Sequence, residues 1–440
     1  MIEPSSTASL DRMKGLGWSA ILLLAVVQFT AHVDRAIPSV LAPMIKAQFG
    51  LTDTQIGALQ GPAFSTLYAL GLLAAGHLIA GRNPYRVAAL CVVVWTAGGV
   101  LFALATDYGS MVAGRMLLGL GQAAFAPAAL MLLTVGSDSG HRARALSTFT
   151  TGSATGSSAA LLVGGAVLAV MAGQTLFGLD PWRTASLALM VPNLILATLL
   201  WRSASRAQPV ILEDRPGLGA ALRLIGRERG TLVPIMAAGV GCILAVQAAG
   251  AWGISILHRG FDLTPATAAL AAGVGVLIAA PIGHLGGGWT LGSVIGQRVG
   301  AGRLMAAGMA LAALAALGIA VSGSATMAVV GLAGLKAGCG FAAVIVLIEI
   351  QAQTEPRLRP QVGAIFLALI SLVGVGLGPL ITGVISDHGL SGPTGLAWSL
   401  TIVTGGSAAL VIALGLTFAD RWRRRAGSGV DRAEATDAGI

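Results

Sequence analysis

Charge is what this chain has least of. Only 10% of its 440 residues are Asp, Glu, Lys or Arg and 55% are hydrophobic, whereas soluble domains carry about 25% charged residues. Such a composition cannot clothe a water-soluble globule of this length. Acids are scarcer than bases, 18 against 27. An excess of cations suits nucleic acid when it gathers on one polar face, but here the cations fall in short gaps between apolar runs, which excludes that partner. Cys91, Cys242 and Cys339 each sit inside an apolar run without metal-ligand spacing, which predicts reduced structural thiols and no metal site. No nucleophile elbow, His-Glu-x-x-His or phosphate-binding loop is present, so neither an enzyme nor an organic cofactor is expected.

Glycine (62 residues) and long apolar runs are what the chain has in plenty. A spanning helix needs about 20 apolar residues, and runs of this kind lie near 17–45, 55–80, 87–105, 110–135, 145–172, 184–201, 231–257, 266–290, 304–322, 326–353, 362–386 and 396–419. The polar residues before the first run lack a small-residue cleavage site, so that run is read as a retained span. Basic residues occupy every second gap, at Arg82 and Arg86, Arg142 and Arg144, Arg202 to Arg229, Arg298 and Arg303, and Arg357 and Arg359. Arg12 and Lys14 precede the first run and Arg421 to Arg432 follow the last, while the alternate gaps hold only Lys46, Arg183 and Arg259. This asymmetry predicts a multi-pass membrane protein with both termini cytoplasmic.

The longest polar gap, containing Pro209 and Pro216, falls after the sixth run. It divides the chain into an N-terminal segment 1–16, a six-helix bundle over 17–201, a linker over 202–230, a second six-helix bundle over 231–419 and a tail over 420–440. A weak repeat supports the division: Phe49-Gly-Leu51-Thr52 after the first run returns as Phe261-Asp-Leu263-Thr264 after the seventh. Two like halves joined by a cytoplasmic linker suit a transporter that alternates access to a midplane site. The predicted fold is an all-α membrane protein of twelve transmembrane helices in two six-helix pseudo-repeat bundles.

The run 17–45 carries His32, Asp34 and Arg35 where lipid tolerates none of them. A bare charge near the bilayer centre costs at least ~2.5–3.5 kcal/mol, so such residues face protein or water and mark a site. Helical spacing puts Gln28, His32 and Arg35 on one stripe, with Asp34 about 100° round from Arg35. Arg115 and Lys336 are the other cations inside apolar runs, and Arg115 shares a face with Gln122 through Gly119. Two readings of the cations stand at this level. They form an anion site, with Arg35 or Arg115 offering a flat fork and Lys336 a point charge, or Asp34 pairs with Arg35 or Arg115 only to hold helices together. Asp34, His32 and Glu349 are the candidates for carrying a proton. Gln247 and Trp252 in the seventh run are candidates for a hydrogen bond and a flat wall against substrate. Gly152/Gly156 and Gly374/Gly378 predict close helix packing.

The stretch His32-Val-Asp34-Arg35-Ala-Ile-Pro38, continuing to Phe49-Gly-Leu51-Thr52-Asp53 and through Gly61-Pro62 to Tyr68, resembles bacterial Spinster-like members of the major facilitator superfamily and the related anion:cation symporters. Gly114-Arg115-Met-Leu-Leu-Gly119-Leu-Gly121-Gln122, Ala251-Trp252 with His258-Arg259-Gly260, and Arg359-Pro-Gln-Val-Gly through Gly376-Leu-Gly378-Pro379 to Ser386-Asp387 extend the likeness to both halves. The resemblance implies the major facilitator fold, in which spans one, four, seven and ten line a cavity, so that Arg35, Arg115 and Lys336 would converge with Asp34. It departs from the family in three places. Ala80 stands where an Asp normally latches the loop after span two, Gly292 stands at the matching place after span eight, and Gln122 replaces an acid common in span four.

The expected function is secondary transport by alternating access across a bacterial inner membrane, proton-coupled, of an organic anion or an anionic amphiphile, for which the Spinster resemblance implies lysolipid-like cargo. Uptake of small carboxylates with protons is the alternative, and a ligand sensor on the same scaffold is a third reading. Expected partners are a small-molecule or lipid-like substrate, protons and membrane lipids, on a monomeric protein without nucleic acid.

Overall fold

The computed structural model describes residues 16–137, 139–171, 178–206, 217–390 and 392–437. Arg12, Lys14, Arg215 and nearly all of the segment read as 1–16 therefore lie outside the described residues, as does 207–216 of the linker. The chain is helical without a β-strand among the described residues, and twelve helices are long and apolar enough to cross a membrane. They are α1 Trp18–Phe49, α2 Asp53–Ile79, α3 Pro84–Ala103, α4 Tyr108–Val135, α5 Arg142–Met171, α6 Pro181–Ser203, α7 Arg229–Phe261, α8 Pro265–Gly292, α9 Ala301–Ala320, α10 Ala325–Ala352, α11 Arg359–Gly389 and α12 Gly395–Phe418. Each overlies one of the twelve apolar runs. The all-α, twelve-span expectation holds.

Two compact units form. One comprises Met1–Leu51, Pro62–Arg215 and Thr264–Gly273; the other comprises Thr52–Gly61, Pro216–Leu263 and Val274–Ile440. The first two turns of α2 thus group with the second unit, and the chain changes unit at Gly61-Pro62. Gly61 ends the helix Asp53–Gln60, and its φ of −98° and ψ of −95° break the helical path before Pro62 restarts it.

The internal repeat has a structural cause. Gly50 closes α1 in the left-handed region at φ +60°, and Asp262 closes α7 the same way at φ +53°. Two residues later a threonine opens the next helix: Thr52 Oγ1 accepts from Gln55 N at 3.1 Å, and Thr264 Oγ1 accepts from Thr267 N at 3.2 Å. Phe-x-Leu-Thr is therefore a C-cap followed by an N-cap, written twice. Only the first copy uses glycine at the strained position. Asp262→Gly is expected to stabilise the protein by up to about 1 kcal/mol and Gly50→Ala to destabilise it by about as much, readable as opposite shifts in a thermal melt.

Small residues set the helix spacing inside each unit. A side chain at Gly152 would meet the Ala25 carbonyl and one at Gly156 the Phe29 backbone, so α5 lies close on α1. Gly374 and Gly378 do the same for α11 on α7, against Ile243 and Leu244. Pro379 cannot donate to the carbonyl of Val375, and the turn before it widens to a π-helix over Ile370–Val375.

Candidate functional site

In the first unit the polar residues of α1 fan out to different neighbours. Pro38 deprives the Asp34 carbonyl of its helical donor, which loosens the turn that presents Asp34 and Arg35. His32 points to α5, with Nδ1 on the Gln28 carbonyl at 2.9 Å and Nε2 on Ser153 Oγ at 3.0 Å. Gln28 Nε2 reaches the same hydroxyl at 3.4 Å. Asp34 turns to α6, where Oδ2 accepts from Asn193 Nδ2 at 2.7 Å, and it is 3% exposed.

Arg35 turns to α2 and α4. Its Nε and Nη2 donate to Gln122 Oε1 at 3.3 and 3.0 Å, and its guanidinium lies 4.7 Å from the Phe64 ring centroid and 4.8 Å from that of Tyr68. Gln122 Nε2 in turn donates to the Ala31 carbonyl at 2.8 Å, which locks the amide's orientation. Arg115 is buried over Phe64, and its Nη2 donates to the Arg35 carbonyl at 3.4 Å. Among the described residues no carboxylate pairs with Arg35. The pairing of Asp34 with Arg35 or Arg115 that spacing allowed is thus not what forms: the acid is held by an amide, and a second amide holds Arg35. Gln122 fixes that guanidinium without cancelling its charge, which a carboxylate at this position would do.

The second unit holds the remaining candidates. Lys336 on α10 donates to the Val246 carbonyl of α7 at 3.1 Å, beside half-exposed Gln247, and Gly250 leaves room for its ammonium. Glu349 lies thirteen residues further along α10, about 20 Å by helical rise, so it shares no site with Lys336. It is 8% exposed and takes a 3.4 Å hydrogen bond from Gln353 Nε2. Trp252 is fully buried, its indole N–H donating to the Pro379 carbonyl at 2.9 Å. It packs between α7 and α11 in this structure.

A cluster that sequence reasoning missed joins the start of α2 to α7 and α11. Arg259 grips the Asp53 carboxylate with both terminal nitrogens, and Ser386 Oγ donates to Asp53 Oδ2 at 2.8 Å. Asp387 accepts from the backbone N–H groups of Asp53 at 3.0 Å and Thr54 at 2.6 Å. Asn193 was missed as well. An Asn in the middle of an apolar span is the signal that would have found it; Asp53, Arg259 and Asp387 are too far apart in the chain to suggest each other.

Charged groups buried inside helices long and apolar enough to cross a membrane mark a functional site. The chain belongs to the Major Facilitator Superfamily, whose family model matches residues 24–293. It is 30% identical over 206 residues to an MFS-type efflux pump of Mycolicibacterium smegmatis, a match covering 46% of each chain. It is 30% identical over 112 residues, 26% of each chain, to a probable sulfoacetate transporter of Cupriavidus necator. Each match spans less than half the length of the relative concerned. The fold is shared with a bacterial homologue of the human lysosomal transporter Spinster in an inward-facing, unoccupied conformation. That structure has a TM-score of 0.77 and 20% identity, with 94% of this chain and 98% of the other covered. Family and structural neighbours are transporters, not enzymes.

Proposed function

We propose that this protein is a secondary transporter of the bacterial cytoplasmic membrane, with cytoplasmic termini, that moves a small organic anion by alternating access and couples it to protons through Asp34. Arg35 carries the proposal. Its guanidinium lies within a membrane span, sits against the stacked Phe64 and Tyr68 rings and is oriented by a neutral amide. A cation so placed is costly unless an anion visits it, and its planar fork matches a carboxylate or sulfonate. The likeness to a sulfoacetate transporter points to the same ligand class. Asp34 supplies the proton carrier: a buried carboxylate that forms no salt bridge among the described residues can take up and give back a proton without tearing an ion pair apart. His32, linked to Ser153, is the second candidate on the same helix.

Counterflow in proteoliposomes loaded with sulfoacetate, challenged with small sulfonates and carboxylates, is expected to be saturable, with lysolipids inert. Absence of exchange with every anion rejects the reading. Asp34→Asn is expected to keep counterflow within about threefold while lowering accumulation driven by a pH gradient about tenfold or more. Unchanged accumulation in that variant would return Asp34 to a structural role.

A further inference from the structure

Asn193 is fully buried, and half of its hydrogen-bonding capacity is unexplained. Nδ2 donates to Asp34 Oδ2 at 2.7 Å and lies 3.9 Å from Met190 Sδ, while Oδ1 meets no donor among the described residues. A buried acceptor left without a donor costs about 1–3 kcal/mol, so such an atom needs a reason. A carboxamide supplies one. It carries donors on one side and an acceptor on the other, and half a turn about its last torsion exchanges them with no movement of the backbone.

An ionised Asp34 can only accept, and Nδ2 serves it in the orientation seen. A protonated Asp34 has an O–H to give, and the turned amide presents Oδ1 to take it. The other groups around Asp34 lack this double capacity. On α1, His32 is tied to Gln28 and Ser153 of α5, and Arg35 to Gln122. On α4, Arg115 donates to a backbone carbonyl. On α3, the indole N–H of buried Trp95 closes no hydrogen bond among the described residues, and an indole only donates. At the start of α6, Arg183 is held by Asp180 and the Ala103 carbonyl. Among the described residues no charged side chain forms a salt bridge with Asp34.

We infer that Asn193 is the positioning residue for the coupling proton: its carboxamide holds Asp34 in place through both protonation states, donating to the carboxylate through Nδ2 and accepting from the acid through Oδ1. A proton arriving from water forms the O–H of Asp34 and the amide turns; the departing proton restores the first orientation. No other reactant is needed. The inference rests on Asp34 as the proton carrier, and Asn193 touches neither substrate nor water in it.

Infrared difference spectra of the purified protein, taken as pH is stepped across its folded range, test this without any substrate. A carboxylic C=O band that is lost in Asp34→Asn belongs to Asp34. In the wild type its frequency is expected to be that of a hydrogen-bonded acid. In Asn193→Leu, which keeps the volume but neither donates nor accepts, the band is expected to move to the frequency of a free acid and its midpoint to shift by about one pH unit or more. Asn193→Gln, which keeps the amide, is expected to restore the hydrogen-bonded frequency. A band with unchanged frequency and midpoint in Asn193→Leu overturns the inference, as does the absence of any band sensitive to Asp34→Asn. If Asn193→Leu does not assemble, Asn193→Ala is read by the same criteria. The transport assay above separates the two claims. Asp34→Asn that uncouples, together with a spectrum indifferent to Asn193, leaves Asp34 as carrier and removes only the role of Asn193; an Asp34→Asn protein that still accumulates substrate removes the coupling reading itself.

Discussion

Arg35→Ala is expected to abolish anion transport at ordinary substrate concentrations, with the apparent affinity in counterflow falling about a hundredfold or more. Each charge-assisted hydrogen bond from the guanidinium is worth about 1.5–3 kcal/mol, so losing a fork of two removes at least about 3 kcal/mol of binding. Arg35→Lys separates shape from charge. It keeps the cation but loses the fork and the stacking on Phe64 and Tyr68, and is expected to lose about tenfold. Gln122→Glu gives a third, independent outcome. A carboxylate at this position would form an ion pair with Arg35 where Gln122 Oε1 now accepts from it, and the cation would no longer be available to substrate. Affinity for anions is then expected to fall by about tenfold although nothing has been removed from the site. The fall should be visible in the concentration dependence of counterflow while the melting temperature stays near that of the wild type. Wild-type affinity in both Arg35→Ala and Gln122→Glu would show that the anion binds elsewhere.

Twelve spans were legible because length and hydropathy alone decide what crosses a bilayer, and each apolar run became one helix. The repeat at Phe49–Thr52 and Phe261–Thr264 was legible as a repeat, and its meaning as paired helix caps follows from Gly50, Asp262 and the two threonines. Within the site, spacing placed Gln28, His32 and Arg35 on one stripe but could not say which neighbouring helix each residue meets: Gln28 and His32 reach Ser153 of α5, whereas Arg35 reaches Gln122 of α4. Asp34 lies only about 100° from Arg35, enough to carry it to Asn193 on α6 while Arg35 reaches Gln122 on α4. Charge complementarity suggested an acid–base pair, and geometry chose two amides. Trp252 was ambiguous for a related reason: an indole fits a cavity wall and a helix contact equally well, and here its N–H lies on the Pro379 carbonyl. The grouping of Thr52–Gly61 with the second unit was not legible, because α2 reads as one continuous apolar run.

Those first two turns of α2 carry the second large effect. Arg259→Ala is expected to destabilise the protein by about 3 kcal/mol, more than Asp53→Ala does. The asymmetry comes from what each change leaves behind. Without Asp53, the Arg259 side chain, already 26% exposed, can extend to water; without Arg259, the Asp53 carboxylate stays 5% exposed and loses its two-pronged guanidinium partner. Asp387 makes matters worse, since its carboxylate sits over the backbone N–H groups of Asp53 and Thr54 and repels its neighbour. The helix N-terminus and Ser386 Oγ offset only part of that repulsion. A sign reversal follows. Asp387→Asn alone is expected to be destabilising, because a neutral carbonyl replaces charge-assisted acceptance of two N–H groups. In the Arg259→Ala background the same substitution is expected to recover about 1 kcal/mol, because it removes a like charge while keeping one acceptor. Thermal melts of the four proteins at a fixed scan rate read the cycle directly. Additive losses would mean that Arg259 and Asp387 act on α2 independently. Rescue would show that the start of α2 is held by one balanced cluster of two acids and a base, within the unit that also contains α7 and α11.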